Sequence, residues 1–82
     1  MVNTMTILRR KDVQRETGYS RSTIYLRIKQ GLWTAPVALG PRAVGWPAHE
    51  VHAINTARIQ GKDEGQIRTL VAVLHRMRGE AR

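Results

Sequence analysis

Thr17-Gly-Tyr-Ser-Arg-Ser-Thr-Ile-Tyr-Leu-Arg-Ile-Lys-Gln-Gly31 is the stretch on which the fold turns. Glycine is the usual residue where a helix leaves through a left-handed conformation. Gly18 therefore ends a helix over residues 10–17, and Gly31 ends a second over residues 21–30. Ser20 is of the right type to cap the second helix, its hydroxyl accepting from the backbone N–H of Ser22 or Thr23. Ile24 and Ile28 are four apart and share one face. Arg21, Ser22, Tyr25 and Lys29 fall largely on the opposite side, with Arg27 at its flank. Two short helices joined by about three residues containing Gly form a helix-turn-helix, here over residues 11–31. Val13, Tyr19, Ile24 and Ile28 supply its joint core and leave the polar set facing outward.

On the N-terminal side, residues 1–6 have no periodic pattern and read as a loose arm, with Ile7 and Leu8 as the first apolar contact. On the C-terminal side the character changes. Pro36, Gly40, Pro41, Gly45 and Pro47 exclude a long helix. Two short apolar runs, Val37-Ala38-Leu39 and Ala43-Val44-Gly45-Trp46, flank Gly40-Pro41-Arg42 and predict a β-hairpin with Arg42 at its tip. Pro47 suits the first turn of a third helix, over residues 48–58, which Gln60-Gly61-Lys62 breaks. A fourth helix is predicted over residues 63–77, with Asp63 and Glu64 at its start and Arg76 and Arg78 at its end, as the helix dipole favours. Ile67, Leu70, Val71, Leu74 and Met77 form its apolar stripe. Either this stripe folds back on a thin core or it docks on a neighbour. The fold class is thus mainly α: a winged helix-turn-helix with a two-stranded hairpin and an added C-terminal helix. Its division is an arm (1–6), a core domain (7–60) and an amphipathic helix with a basic tail (61–82).

Bulk properties narrow the function. A chain of 82 residues builds one thin domain. Fourteen Lys and Arg against six Asp and Glu give a formal net charge of +8. Most of the bases are arginine, whose guanidinium makes forked bonds to phosphate and guanine. A polyanion is the natural partner, with double-stranded DNA the leading one. Cysteine is absent, which excludes disulfides, Cys-ligated zinc and thiol catalysis and suits a reducing cytoplasm. No apolar run approaches the ~20 residues that span a bilayer, so no membrane partner is expected. His49 and His52 are three apart on one helix, but neither they nor His75 have a matching third ligand, so no metal is expected. No paired carboxylates, nucleophile–base set or phosphate-cradling glycine loop appears, so the chain does not read as an enzyme, and no cofactor is expected.

The stretch quoted above, continued through Pro36-Val-Ala-Leu-Gly-Pro-Arg-Ala-Val-Gly-Trp46 to Glu50-Val51, resembles the AlpA family of prophage-type regulators over residues 7–59. These proteins are similar to excisionases of the MerR-like winged class. The resemblance implies a bacterial or phage-encoded regulator or recombination directionality factor of a mobile element, binding repeated DNA sites, with an integrase or RNA polymerase as a further partner. It says little about the fourth helix.

The residues then take roles. The second helix enters the major groove, with Arg21 placed for a forked contact to guanine. Ser20, Ser22 and Thr23 stand at its start as base or phosphate contacts, or as ordinary first-turn residues. Tyr25 packs on a sugar or thymine methyl, or against the hairpin. Arg27 and Lys29 meet the backbone, with Arg10, Lys11 and Arg15 as further backbone candidates. Arg42 reaches the neighbouring minor groove. Trp33 and Trp46 read as core rather than base-stacking residues, since the chain has no Phe to fill a centre. Ile67, Leu70, Val71 and Leu74 are the candidate face for head-to-tail self-association.

Overall fold

The computed structural model describes residues 6–80. The arm expected over residues 1–6 therefore lies, apart from Thr6, outside the described residues. In chain order the elements are β1 (Ile7–Arg9), α1 (Arg10–Thr17), α2 (Arg21–Lys29), β2 (Val37–Gly40), β3 (Ala43–Pro47), α3 (Ala48–Ile59) and α4 (Glu64–Glu80). This is the mainly-α winged helix-turn-helix, and its turn is built from local bonds. The Thr17 hydroxyl donates to the Val13 carbonyl at 2.7 Å and accepts from the Tyr19 N–H at 3.1 Å, carrying the chain out of α1. Ser20 Oγ accepts from the Thr23 N–H at 3.2 Å, as its capping role requires. At the far end of α2, Gly31 sits at φ +76°. Its N–H donates to Ile28, and the Leu32 N–H donates to Arg27, at 3.1 and 2.8 Å. That pair of bonds closes a helix through a left-handed residue.

The wing departs from the expected two-stranded hairpin. Three antiparallel strands pair in the order β1-β3-β2. Ile7, Leu8 and Arg9 oppose Pro47, Trp46 and Gly45, so the residues read as a first apolar contact are an edge strand. Three residues are too few to show alternation by themselves; the strand exists because β3 is there to pair with it. Gly45 makes the close approach possible. A Cβ there would lie 2.5 Å from Ile7 Cγ2 and 3.0 Å from both Leu39 Cδ1 and the Leu8 carbonyl oxygen. The β2–β3 register slips between Ala38 and Gly40, which bends the wing near its tip. Pro47 ends β3 at φ −57°, ψ 131° and caps α3 from outside rather than entering its first turn. It pairs opposite Ile7, and Ala48 continues the pairing by donating to the Thr6 carbonyl at 2.8 Å.

Val13, Ile24, Trp33, Trp46, Val51 and Ile54 are fully buried in one cluster. Both tryptophans are thus core. The Trp46 indole donates to the Thr34 carbonyl at 2.8 Å, and Tyr19 meets Trp33 edge-on with ring centroids 5.9 Å apart.

The fourth helix folds back onto this core. Val71 and Leu74 are buried in the same cluster, and Ile67 and Leu70 pack against it. The side chains considered for head-to-tail association therefore fasten α4 to its own chain, because a core this small gains most by covering itself. Met77, expected on the same stripe, is exposed. The helix starts with reciprocal bonds: Asp63 Oδ1 accepts from the Gln66 N–H at 2.8 Å, and Gln66 Oε1 accepts from the Asp63 N–H at 3.0 Å. It runs past the predicted end at residue 77 and includes Gly79.

Polar contacts of α4 hold the segment that joins α2 to the wing. Arg68 Nε donates to the Gln30 carbonyl at the end of α2, at 2.9 Å. His75 Nε2 accepts from the Ala35 N–H at 3.0 Å. Arg78 donates to both oxygens of fully buried Glu50, at 2.8 and 2.6 Å, and to the Ala35 carbonyl at 2.7 Å.

Candidate nucleic-acid interface

Because Ile24 and Ile28 turn inward, α2 presents Arg21, Ser22, Tyr25, Leu26 and Lys29 at the surface. Among the described residues neither Arg21 nor Lys29 pairs with a carboxylate. Ser20 and Thr23 are engaged with each other, Ser20 Oγ also donating to Thr23 Oγ1 at 2.9 Å, so their hydroxyls serve the helix start. Ser22 Oγ lies 3.3 Å from Ser20 Oγ and is exposed. Tyr25 packs against the hairpin, one of the two alternatives for it. Its ring centroid stands 6.5 Å from that of Trp46 at the wing base, and the side chain is still 39% exposed.

Leu26 was not singled out by sequence, yet it is half exposed at the middle of the outward face. The signal was present: Leu26 lies two residues from both Ile24 and Ile28, which puts it opposite the buried pair. An apolar side chain there offers contact to a thymine methyl.

On the wing, Pro41 and Arg42 form the exposed turn. Arg9 is a second wing residue that sequence reasoning passed over. Its Nε donates to the Val44 carbonyl at 3.1 Å, which aligns an exposed guanidinium along the sheet. Only the unrecognised strand β1 puts it there. Of the three α1 candidates, Lys11 is exposed and free of any carboxylate among the described residues. Arg15 is paired with Asp12. Arg10 is half-buried, with Nε donating to Gln14 Oε1 at 3.4 Å.

Arg27 turns away from the outward face. It donates to Gln30 Oε1 at 3.0 Å and lies 5.9 Å from the Tyr19 ring centroid. Arg58 covers the same ring at 4.2 Å and donates to the Thr17 carbonyl and to Asn55 Oδ1. These two arginines share a cleft with Lys62.

Residues 6–55 match the family model described as prophage CP4-57 regulatory protein (AlpA). The chain belongs to the AlpA family of prophage regulatory proteins. The matched span takes in β1, the helix-turn-helix, the wing and most of α3, and it stops before α4. AlpA proteins are a regulatory family rather than a family of enzymes. Among curated proteins, the uncharacterized protein ORF88 of Enterobacteria phage P4 is 41% identical over 58 residues, covering 71% of this chain and 66% of that protein. The match thus spans just under two thirds of the relative's own length. No solved structure matches. Among the described residues no group of three or more His, Cys, Asp or Glu is gathered to hold a metal, and no helix is long and apolar enough to cross a membrane.

Proposed function

We propose that this AlpA-family chain regulates a phage-type mobile element by binding duplex DNA, with α2 in the major groove and the wing beside the adjacent minor groove. One observation carries the reading. Arg21 and Lys29 are exposed on a single face of a capped helix, and the exposed Arg42 stands on the wing next to it. None of the three has a carboxylate partner among the described residues, in a chain of net charge +8. Unpaired cations on one surface gain most from a polyanion. Arg21, at the N-terminal end of α2, takes the guanine contact, with Ser22, Tyr25 and Leu26 reading the neighbouring positions. Lys29, Lys11 and Arg9 neutralise phosphates, and Arg42 enters the minor groove.

The test is a mobility shift on the promoter and attachment DNA of the element. The parent binds with steep salt dependence. Arg21→Ala loses about 1–3 kcal/mol on the target and much less on random DNA, because a base contact is removed. Arg42→Ala weakens binding to a smaller degree. Both variants binding like the parent would overturn the assignment. Excision and transcriptional control use the same interface on this reading. They separate in an assay for integrase-dependent excision run beside one for promoter activity. A head-to-tail coat on DNA is not favoured, since Val71 and Leu74 are already buried within the chain.

A further inference from the structure

The cleft beside Tyr19 is lined by Arg27, Arg58, Lys62 and Glu64 over a floor of Leu32 and Ile67, and holds about 150 Å³. Three cations face one carboxylate there, and Glu64 already lies 3.7 Å from Arg68 on the same helix. The partners of Arg27 and Arg58 among the described residues are neutral: Gln30 Oε1 for one, Asn55 Oδ1 and the Thr17 carbonyl for the other, and the Tyr19 ring for both. Arg27 Nε is buried without a hydrogen-bond partner. Ring faces and carbonyls hold guanidinium groups in place but do not neutralise them. Two like charges gathered around one tyrosine, with a third at the rim, make a site that an anion completes.

Its position says which anion. Successive helix residues are about 100° apart. Tyr25 therefore lies on one flank of α2, Leu26 at the outward centre and Arg27 on the other flank. Tyr25 leans on Trp46 and the wing, so the cleft opens on the flank away from the wing. A helix lying in the major groove has a phosphate wall on each side. The wing follows one wall into the minor groove, and the cleft meets the other.

We propose that Arg27, Arg58 and Lys62 form a seat for a backbone phosphate of the duplex, on the side of α2 opposite the wing. This rests on the DNA-binding reading above and adds a third point of contact to it. Tyr19 is the positioning residue, since its ring holds both guanidinium groups.

The experiment compares the parent chain with Lys62→Gln and Arg27→Gln, on the target duplex and on a random duplex, across a potassium chloride series. Arg58 is left intact because it also ties α3 to the end of α1. Thermal melts check that both variants fold. Each variant should bind both duplexes about five-fold more weakly near 0.15 M salt, with the slope of log affinity against log salt reduced by about one. Phosphate-ethylation interference should fade at one phosphate on the wall away from the wing and persist at the wing. Folded variants with parental slopes and footprints, while Arg21→Ala still weakens target binding, would overturn the phosphate seat alone and turn the search to an acidic protein partner. A parent chain without salt-sensitive DNA binding would overturn the DNA-binding reading and the seat together.

Discussion

Helix α2, at 9 residues, is shorter than an isolated helix needs, whereas α4 has 17, and the two are held in opposite ways. Helix α2 carries its own local closures, Ser20 at the start and the Gly31 turn at the end. Its outward cations Arg21 and Lys29 have no carboxylate partner among the described residues. Helix α4 reaches across the molecule. Arg68 meets a carbonyl 38 residues away, His75 an amide 40 away and Arg78 a carboxylate 28 away. One helix displays its charges and the other uses them to hold the frame. The contrast teaches where a ligand belongs. Where the fold has an acceptor to offer, α4's arginines take it, and on the reading proposed above the cations that α2 leaves facing solvent are the ones offered to DNA.

The largest test of that contrast is Arg78→Ala. Glu50 is fully buried and its carboxylate receives two bonds from this one guanidinium. Removing the partner of a buried charge costs about 3–5 kcal/mol. For a chain of this length that is a large share of total stability. Denaturant unfolding followed by circular dichroism should show the loss, and the double variant Glu50→Met, Arg78→Met should recover most of it. A loss below about 1 kcal/mol would mean that α4 does not hold the frame through this pair.

Ser20→Ala comes next and acts on the displayed helix. It removes the acceptor of the Thr23 N–H and should lower stability by about 1 kcal/mol. The same unfolding experiment reads it, with a parallel loss of helical signal. Arg21→Ala, one residue on, should leave stability within about 0.5 kcal/mol of the parent, as solvent-facing substitutions do. If Arg21→Ala were the more destabilising of the two, α2 would be held by its outward side chains and the display reading would fail.

How far each region was legible follows from the range of its bonds. The turn from α1 to α2 is set by residues two to four apart, so Gly18 and Ser20 announce it in the sequence. The apolar stripe of α4 was equally plain, though periodicity alone does not say which surface covers it. Strand β1 was hidden because three residues become a strand only when Trp46 and Gly45 lie alongside. With it went Arg9, whose place on the wing depends on that pairing. Arg27 was assigned to the outer flank from its helical angle. Its true direction is set by Tyr19 and Gln30, and Arg58 joins it there from a helix beginning some twenty residues later. Glu50 drew no role of its own from the sequence, since nothing local reveals a partner in α4.

A small expected effect is the most discriminating, because Arg68 is where the two helices meet. Its Nε caps the Gln30 carbonyl, and a Cβ at Gly31 would lie 3.7 Å from its Cγ. The side chain is about half exposed, so water screens the charge. A cation at a helix C-terminus under those conditions is worth about 0.3–1 kcal/mol. Arg68→Ala should therefore shift the unfolding midpoint only slightly. Its effect on DNA depends on what the cap does. If α4 merely stabilises, Arg21→Ala costs the same affinity in the Arg68→Ala background as in the parent. If the cap fixes the angle at which α2 leaves the frame, the two losses are not additive, because a helix free to tilt already places Arg21 poorly. The exposed bond to Gln30 is one of several that hold this segment, beside His75 and Arg78 at Ala35. With those bonds intact the expected result is additivity, within the ~0.5 kcal/mol that independent sites show.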